Sequence, residues 1–490
     1  MNLETLLHSI PTLQVVGPLN REITSICYDS RRVQPGSLFV ALRGEKVDGS
    51  IFVSQALEKG VVAVLSEEIE THARATVVVV KSTRLALADV AANFYQHPSK
   101  ALKIVGVTGT NGKTTTVFLL KHICDRALMR CGVIGTVRYE IGDRILPATR
   151  TTPESLDLQD LLWQMRSAGC KAAAMEVSSH ALDQARVRNV EFDAAIFTNL
   201  SQDHLDYHKS MDAYAQAKAR LFSGLTAQKK KGRAIINMDD RIGAQFAARF
   251  AREMPVTGYG CGVRADFRAS NIRMDFNGTS YQLDANGRSY LVRLPLTGQF
   301  NVYNSLAAIA GSHALGVDVR EAVLALADGP PVPGRLEAVP GQRQFRVFVD
   351  YAHTDDALQN VLKTCRDLNP ARVIVVFGCG GSRDRGKRPK MGAVVDQYAD
   401  WAIVTSDNPR KEEPAAIIED IKPGMRRGNY EVIVDRKEAI FKAIAMAEPR
   451  DIVLIAGKGH EKTQEFADYT IPFDDVAVAC EALEGKRGDW

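Results

Sequence analysis

The sequence contains no CxxC pair; its eight cysteines stand at 27, 124, 131, 170, 261, 365, 379 and 480. That scatter signals neither a zinc cage nor a dense disulfide framework, and it fits a reducing cytoplasm. Neither sign of charge is in marked excess. The 62 Lys+Arg against 58 Asp+Glu leave +4 over 490 residues, too little for a dedicated nucleic-acid binder. Apolar runs fall far short of a membrane span, and Gly or charge interrupts them, which speaks against membrane insertion. The first residues hold Glu4 and no basic segment, so they do not read as a signal peptide. Repeats and low-complexity tracts are missing. What is there is ordinary globular material, 45% hydrophobic and 24% charged, which excludes a mainly disordered chain.

At ~150 residues per domain the length suggests about three domains. Short apolar runs alternate with amphipathic stretches of helix length. Strands are expected at 37–42 and 61–65 with a helix at 51–59 between them. Gln96-His97-Pro98-Ser99-Lys100 reads as a linker. A second series starts at Lys103-Ile104-Val105-Gly106-Val107-Thr108 and continues with buried strands at 171–176, 194–198 and 233–237. Gly329-Pro330-Pro331-Val332-Pro333-Gly334 then excludes regular structure. Beyond it, strands are expected at 345–350, 372–378, 401–405, 431–435 and 451–456. Such alternation implies parallel sheets covered on both faces. The expectation is an α/β protein of three domains. A smaller N-terminal α/β domain spans 1–98, a central P-loop ATPase-like domain with a parallel-rich sheet spans 99–331, and a Rossmann-like C-terminal domain spans 332–490.

The strongest local signal is Gly106-Val107-Thr108-Gly109-Thr110-Asn111-Gly112-Lys113-Thr114-Thr115, after a strand and ahead of a helix. Glycines let backbone N–H groups close around phosphate oxygens, and the helix N-terminus adds positive potential. Lys113 suits the β- and γ-phosphates, and the Thr114 hydroxyl suits Mg²⁺. The general GxxxxGK[ST] rule is met imperfectly, since five residues separate Gly106 from Gly112. Gly378-Cys379-Gly380-Gly381-Ser382-Arg383 imitates a dinucleotide fingerprint, but Arg383 stands where the third glycine belongs. Glu176 ends the apolar strand Ala172–Met175 at its carboxyl edge, where open α/β sheets bind ligands, and a carboxylate there suits a hard cation.

The loop Thr108–Thr115 has the form that resembles the Mur ligases. Further pieces follow in the family's order: Thr151-Thr152-Pro153, Glu176-Val177-Ser178-Ser179-His180, Asn199–Asp206, Ala217-Lys218-Ala219-Arg220-Leu221-Phe222, Gly298–Asn304, Gly334-Arg335-Leu336-Glu337 and Asp350-Tyr351-Ala352-His353-Thr354. Asp355 stands where the family often has Pro. The N-terminal Tyr28–Arg32 and Pro35–Ala41 are similar to a nucleotide-sugar domain. The resemblance is strongest to the branch that adds the third residue of the peptidoglycan stem peptide.

That resemblance implies an ATP-dependent, Mg²⁺-dependent amide ligase working through an acyl phosphate. It implies that Gly109, Thr110, Asn111, Gly112, Lys113, Thr114, Thr115, Asn301, Asn304, Arg335 and Asp350 bind ATP. Thr114 and Glu176 would hold one Mg²⁺, and His204 would contribute to a second. Lys218 would be carbamylated, which turns a cation into an anion able to support Mg²⁺. Lys113, Glu176, His204 and Lys218 form the catalytic group. Ser30, Thr151, Thr152, Ser178, Gln184 and Arg186 would bind UDP-N-acetylmuramoyl-L-alanyl-D-glutamate.

Asp407-Asn408-Pro409-Arg410 follows the strand at 401–405 and resembles the diaminopimelate-type motif. meso-2,6-Diaminopimelate differs from lysine by one carboxylate, which Arg410 can grip with paired N–H bonds. Arg383, Asp407, Asn408, Pro409, Arg410, Gly457 and Glu461 would form the amino-acid site. The expected state is a monomer. An L-lysine-adding ligase and a folylpolyglutamate synthetase-like amide ligase are the alternatives within the superfamily. A P-loop motor is the alternative from another class, but such proteins commonly end the second strand in Asp, and here it ends in Glu176.

Overall fold

The computed structural model describes residues 1–44, 47–68, 74–341 and 344–485, with Asp206 described by its backbone alone. Three main sheets follow one another along the chain. The first has five strands, in the order Gln14–Val16, Thr76–Val79, Ala63–Ser66, Ser37–Val40 and Ser25–Cys27; only Gln14–Val16 runs antiparallel to its neighbour. The helix expected at 51–59 forms as a 3₁₀ turn, Gly49–Phe52, leading into the α-helix Val53–Glu58. At the linker, Gln96 and His97 take left-handed φ before the 3₁₀ turn Pro98–Ala101.

The central sheet has eleven strands. Its middle is parallel and holds Lys103–Thr108 between Ala172–Glu176 and Ala194–Phe197. Alternation of side chains explains the burial on both faces. Val105, Val107, Ala172 and Ala174 join one core, whereas Ile104, Ala173 and Met175 join the other. The edges depart from a purely parallel pattern. Cys131–Ile134, Arg138–Ile141 and Arg144–Pro147 form one antiparallel wing. Phe267–Asp275, Gly278–Ala285 and Arg288–Leu294 form the other. In that second wing, Tyr281, Leu283 and Ala285 point inward at a period of two, and Asn-Gly pairs at 277–278 and 286–287 sit at the turns.

The third sheet has six strands, ordered Glu337–Ala338, Arg346–Asp350, Ile452–Ala456, Val373–Phe377, Trp401–Val404 and Tyr430–Val432. All but the first pair are parallel. Val373–Phe377 lies between Ile452–Ala456 and Trp401–Val404, so the strand order reverses there and a crevice opens at the carboxyl ends. A two-stranded hairpin, Thr463–Glu465 with Thr470–Pro472, packs beside that crevice. Among the described residues, no helix is long and apolar enough to cross a membrane.

Candidate active site

Register carries the phosphate loop to its partners. Glu176 pairs with Val107 and Phe197 with Thr108, so two neighbouring strands end where the loop begins. The loop is then laced to the chain after Phe197. Thr110 N–H donates to Asn199 O at 2.9 Å, Asn111 N–H to Asn199 Oδ1 at 2.9 Å, and Thr198 Oγ1 to Asn111 O at 2.6 Å. Two glycines are required by this closeness. Gly109 has φ 147°, and a Cβ there would lie 1.8 Å from Thr198 Oγ1; Gly112 has φ 85°, and a Cβ would meet Asn304 Oδ1 at 2.3 Å.

The cleft over this loop has a volume of about 820 Å³ and takes walls from the second and third sheets' domains. Gly109 to Thr115, Thr151, Glu176, Ser178, His204, Lys218, Asn304, Arg335 and Asp350 all line it. The third domain touches the loop directly. Arg335 Nη2 donates to Thr114 Oγ1 at 3.1 Å, and Asn111 Nδ2 donates to Asp356 Oδ2 at 2.9 Å. Asn301 lies behind the cleft wall: its Oδ1 accepts from Asn304 Nδ2 at 3.0 Å, and its own amide donates to Thr297 O. It therefore fixes the orientation of Asn304. Asp350 is buried and accepts from the N–H groups of Leu336 and Ala352; burial raises its carboxyl above the usual range.

Glu176 is buried, and both of its oxygens are engaged. Oε1 accepts from Thr114 Oγ1 at 3.1 Å and from Thr136 N–H at 2.8 Å, and Oε2 accepts from Thr136 Oγ1 at 3.2 Å. A carboxylate and a hydroxyl in contact beneath a phosphate loop make a hard-oxygen pair that fits Mg²⁺. His204 and Lys218 both face the ring of Tyr214, at 6.1 and 4.4 Å. Burial is the main cause that drives the His204 imidazole down to about 4; Asp203 opposes it, and His180 and the lysines reinforce it. The ring is thus neutral at pH 7, the form that can ligate a cation. Lys218 is buried, its Nζ donates to Gly109 O at 2.8 Å, and burial pushes its ammonium well below the usual lysine range. Among the described residues, no group of three or more His, Cys, Asp or Glu side chains is placed to hold a metal alone, so the oxygen of Thr114 matters to any such site.

Thr152 and Ser178 adjoin Glu176. Thr152 Oγ1 donates to Glu176 O at 2.9 Å and accepts from Ser178 N–H at 3.1 Å. Arg186 continues the line, donating to Thr152 O at 3.0 Å and to Gln184 Oε1 at 2.6 Å. Thr151 meets Thr136 hydroxyl to hydroxyl at 3.0 Å. Ser30 stands apart in the first domain, buried, with its hydroxyl on Gln55 Oε1 and its carbonyl accepting from Lys59.

The remaining candidates gather at the crevice of the third sheet. Arg410 takes a left-handed φ of 51°, and its Nε donates to Glu465 Oε2 at 2.8 Å while Nη1 donates to Gly381 O at 3.1 Å. Asn408 Nδ2 donates to Glu461 Oε2 at 2.7 Å, and Gly457 N–H donates to Asp350 O at 3.0 Å. Pro409 O packs against Gly381, and Arg383 is exposed at the mouth. Tyr351 joins this crevice to the cleft. Its ring lies under the Arg335 guanidinium at 4.8 Å, and its hydroxyl reaches Glu461 Oε1 at 3.5 Å. Thr136, Tyr214, Tyr351 and Lys458 join the site through the fold, without a motif that assigns them a role. A signal existed for Tyr214, four residues ahead of Lys218 on one helix, and for Lys458, inside the run that carries Gly457 and Glu461.

A phosphate loop on a parallel strand, a buried carboxylate beside it and a second α/β domain closing over both define a nucleotide-binding P-loop enzyme built in three parts. The comparisons narrow that class. The Mur ligase middle domain matches residues 107–311, the Mur ligase glutamate ligase domain matches 334–459, and the Mur ligase family catalytic domain matches 22–95. A UDP-N-acetylmuramoyl-L-alanyl-D-glutamate--2,6-diaminopimelate ligase of Syntrophomonas wolfei subsp. wolfei is 45% identical over 474 residues, 96% of each chain. One of Geobacillus thermodenitrificans is 45% identical over 492 residues, covering 99% of this chain and 100% of its own. A solved structure of a ligase of that name is 34% identical, covers 99% of both chains and gives a TM-score of 0.72. The chain belongs to the Mur ligase family.

Proposed function

We propose that this chain joins meso-2,6-diaminopimelate to UDP-N-acetylmuramoyl-L-alanyl-D-glutamate at the expense of ATP, in peptidoglycan precursor synthesis. Residues 1–98 hold the uridine end, 99–331 hold ATP and the acceptor peptide, and 332–490 bring the amino acid. One observation carries the reading: Tyr351 touches both Arg335 at the phosphate loop and Glu461 at the third-sheet crevice. An acid activated in the cleft and an amine held in the crevice would thus lie on either side of Tyr351.

The acceptor's carboxylate oxygen bonds to the γ-phosphorus while the bond to the β-γ bridging oxygen breaks, giving ADP and an acyl phosphate. The amine nitrogen then attacks the acyl carbon, loses a proton and expels phosphate. Such transfer needs positioning and charge neutralisation more than covalent help. Lys113 and Arg335 supply cations, and the loop N–H groups hold the phosphates. Thr114 and Glu176, with His204 at a second position, would hold Mg²⁺, which would supply charge neutralisation for phosphoryl transfer. Thr151, Thr152, Ser178, Gln184 and Arg186 hold the acceptor peptide near Glu176, and Ser30 belongs to the uridine end.

Lys218 has the property that carbamylation demands. Addition of CO₂ forms an N–C bond from the free amine and releases a proton, and burial already favours the free amine. Lys218→Ala should lower turnover about 10²-fold, on the order of a lost electrostatic group, with an unchanged melting temperature. Full activity in that variant removes the carbamate from the proposal.

The test of the whole is a panel of ATP, the muramoyl-dipeptide and diaminopimelate, lysine or ornithine, read by phosphate release and product mass. Phosphate release without either co-substrate would point instead to a motor. Arg410→Ala should cost roughly 10²-fold in kcat/KM for diaminopimelate, as a lost charge-assisted pair does, while the KM for ATP stays within twofold. Equal losses in both would defeat the specificity assignment.

A further inference from the structure

Lys458 is a fully buried ammonium that no step above uses. Its Nζ donates to Asn408 Oδ1 at 2.9 Å, to Thr463 O at 2.6 Å and to Glu461 Oε2 at 3.1 Å. An ammonium has three donors, and all three are spent. These contacts settle the orientation of Asn408. Its Oδ1 accepts from Lys458 and from Glu465 N–H at 3.0 Å, so its NH₂ must be the group that faces Glu461. Glu461 thereby has Oε2 occupied twice and Oε1 turned toward Tyr351, on the side of the phosphate cleft. Lys458 also ties together three separate segments: the Asp407–Arg410 turn, the Gly457–Glu461 turn and the hairpin that begins at Thr463.

We infer that Lys458 is a positioning and specificity-determining residue of the amino-acid site: it aims Glu461 and leaves the site with no net charge, so that a net-neutral diamino-dicarboxylate is preferred to a cationic diamino acid. The inference rests on the function proposed above. The charge count uses the charged side chains of that site and the charged side chains bonded to them: Arg383, Arg410 and Lys458 give +3, and Asp407, Glu461 and Glu465 give −3. Diaminopimelate carries two ammonium and two carboxylate groups, whereas lysine carries one positive charge in excess. Inside a partly desolvated crevice a single uncompensated charge is felt strongly. With Lys458 removed, the site would be net negative and would turn toward lysine.

The experiment compares the wild-type chain with Lys458→Met and Lys458→Gln, measuring kcat/KM for diaminopimelate and for lysine, and KM for ATP. In both variants the diaminopimelate-to-lysine ratio should fall by roughly tenfold or more. The KM for diaminopimelate should rise, and the KM for ATP should stay within twofold. A ratio unchanged within twofold overturns the inference, and so does a KM for ATP that rises in step, since that reads as general loosening. Glu465→Gln guards against failure to fold, because the Glu465 carboxylate is half exposed. Its removal makes the site net positive, so the ratio should rise above wild type; a fall or no change overturns the charge balance. Wild-type protein that releases no phosphate with diaminopimelate sinks the parent reading instead, and the two failures are thereby told apart.

Discussion

Lys113→Ala is expected to lower ligase turnover by about 10³-fold or more, the order seen when a charge on a transferring phosphoryl group is lost. The lysine is already aimed. Its Nζ donates to Gly109 O at 3.0 Å and to Thr110 O at 2.7 Å, inside the curve of its own loop. Burial lowers its ammonium from the usual lysine range, and Glu176 opposes that shift. In so desolvated a place the positive charge acts through a low local dielectric, and its loss is worth more than the same loss on a surface. Arginine should not restore activity. A guanidinium is longer and planar, and its fork does not reproduce the two contacts that a compact ammonium makes inside the curve of the loop. The backbone of the loop keeps other ties when this side chain is removed, because Thr198 and Asn199 also hold it. The melting temperature should therefore stay within about 2 °C of wild type, and the uridine end of the acceptor should bind as before. A loss of less than tenfold would show that Arg335 and the loop N–H groups carry the phosphoryl chemistry without it.

The sequence made the middle of each sheet legible because buried parallel strands are short apolar runs with clear punctuation. The expected strand at 401–405 forms as Trp401–Val404, and 233–237 forms as Arg233–Asn237. The antiparallel wings give no such signal. In the second wing, Gly278–Ala285 and Arg288–Leu294 are half exposed, so polar and apolar residues alternate, and only the Asn-Gly turns at 277–278 and 286–287 betray them. The same division holds at the site. Residues in a loop motif, such as Lys113 and Arg410, announce themselves by type and spacing. Asn301 was expected beside the nucleotide, and it stands behind Asn304 instead; one helical turn separates the two, and sequence alone does not say which of them fronts the cleft. Lys458 escaped for a related reason. A lysine between two glycines reads as a solvated loop charge, and only the folded hairpin closes over it.

Asp475→Ala is expected to destabilise the third domain by about 3–5 kcal/mol, the cost of leaving one buried charge without its partner. Arg436 and Asp475 are both fully buried, with Nη2–Oδ2 at 2.7 Å and Nε–Oδ1 at 2.8 Å. They open the helices Arg436–Ala445 and Asp475–Gly485. The same guanidinium donates to Ser406 O at 3.4 Å and to Ala456 O at 3.1 Å, at the carboxyl ends of the two strands that flank Val373–Phe377. Those ends run on into Asp407 and Gly457, so the pair underlies the amino-acid crevice. At roughly 2–4 °C per kcal/mol for a domain of this size, the melting transition should fall by about 10 °C. Hydrogen exchange should quicken most in Trp401–Val404 and Ile452–Ala456. The double replacement Arg436→Met with Asp475→Leu separates charge from shape. If the penalty comes from the stranded guanidinium, apolar residues of similar volume should recover much of the lost stability. They would not restore the hydrogen bonds to Ser406 and Ala456, so the KM for diaminopimelate should remain raised in a chain that again melts near wild type. A double variant as unstable as the single one would mean that the arginine's bonds to the strand ends, and not its pairing with Asp475, hold this part of the fold.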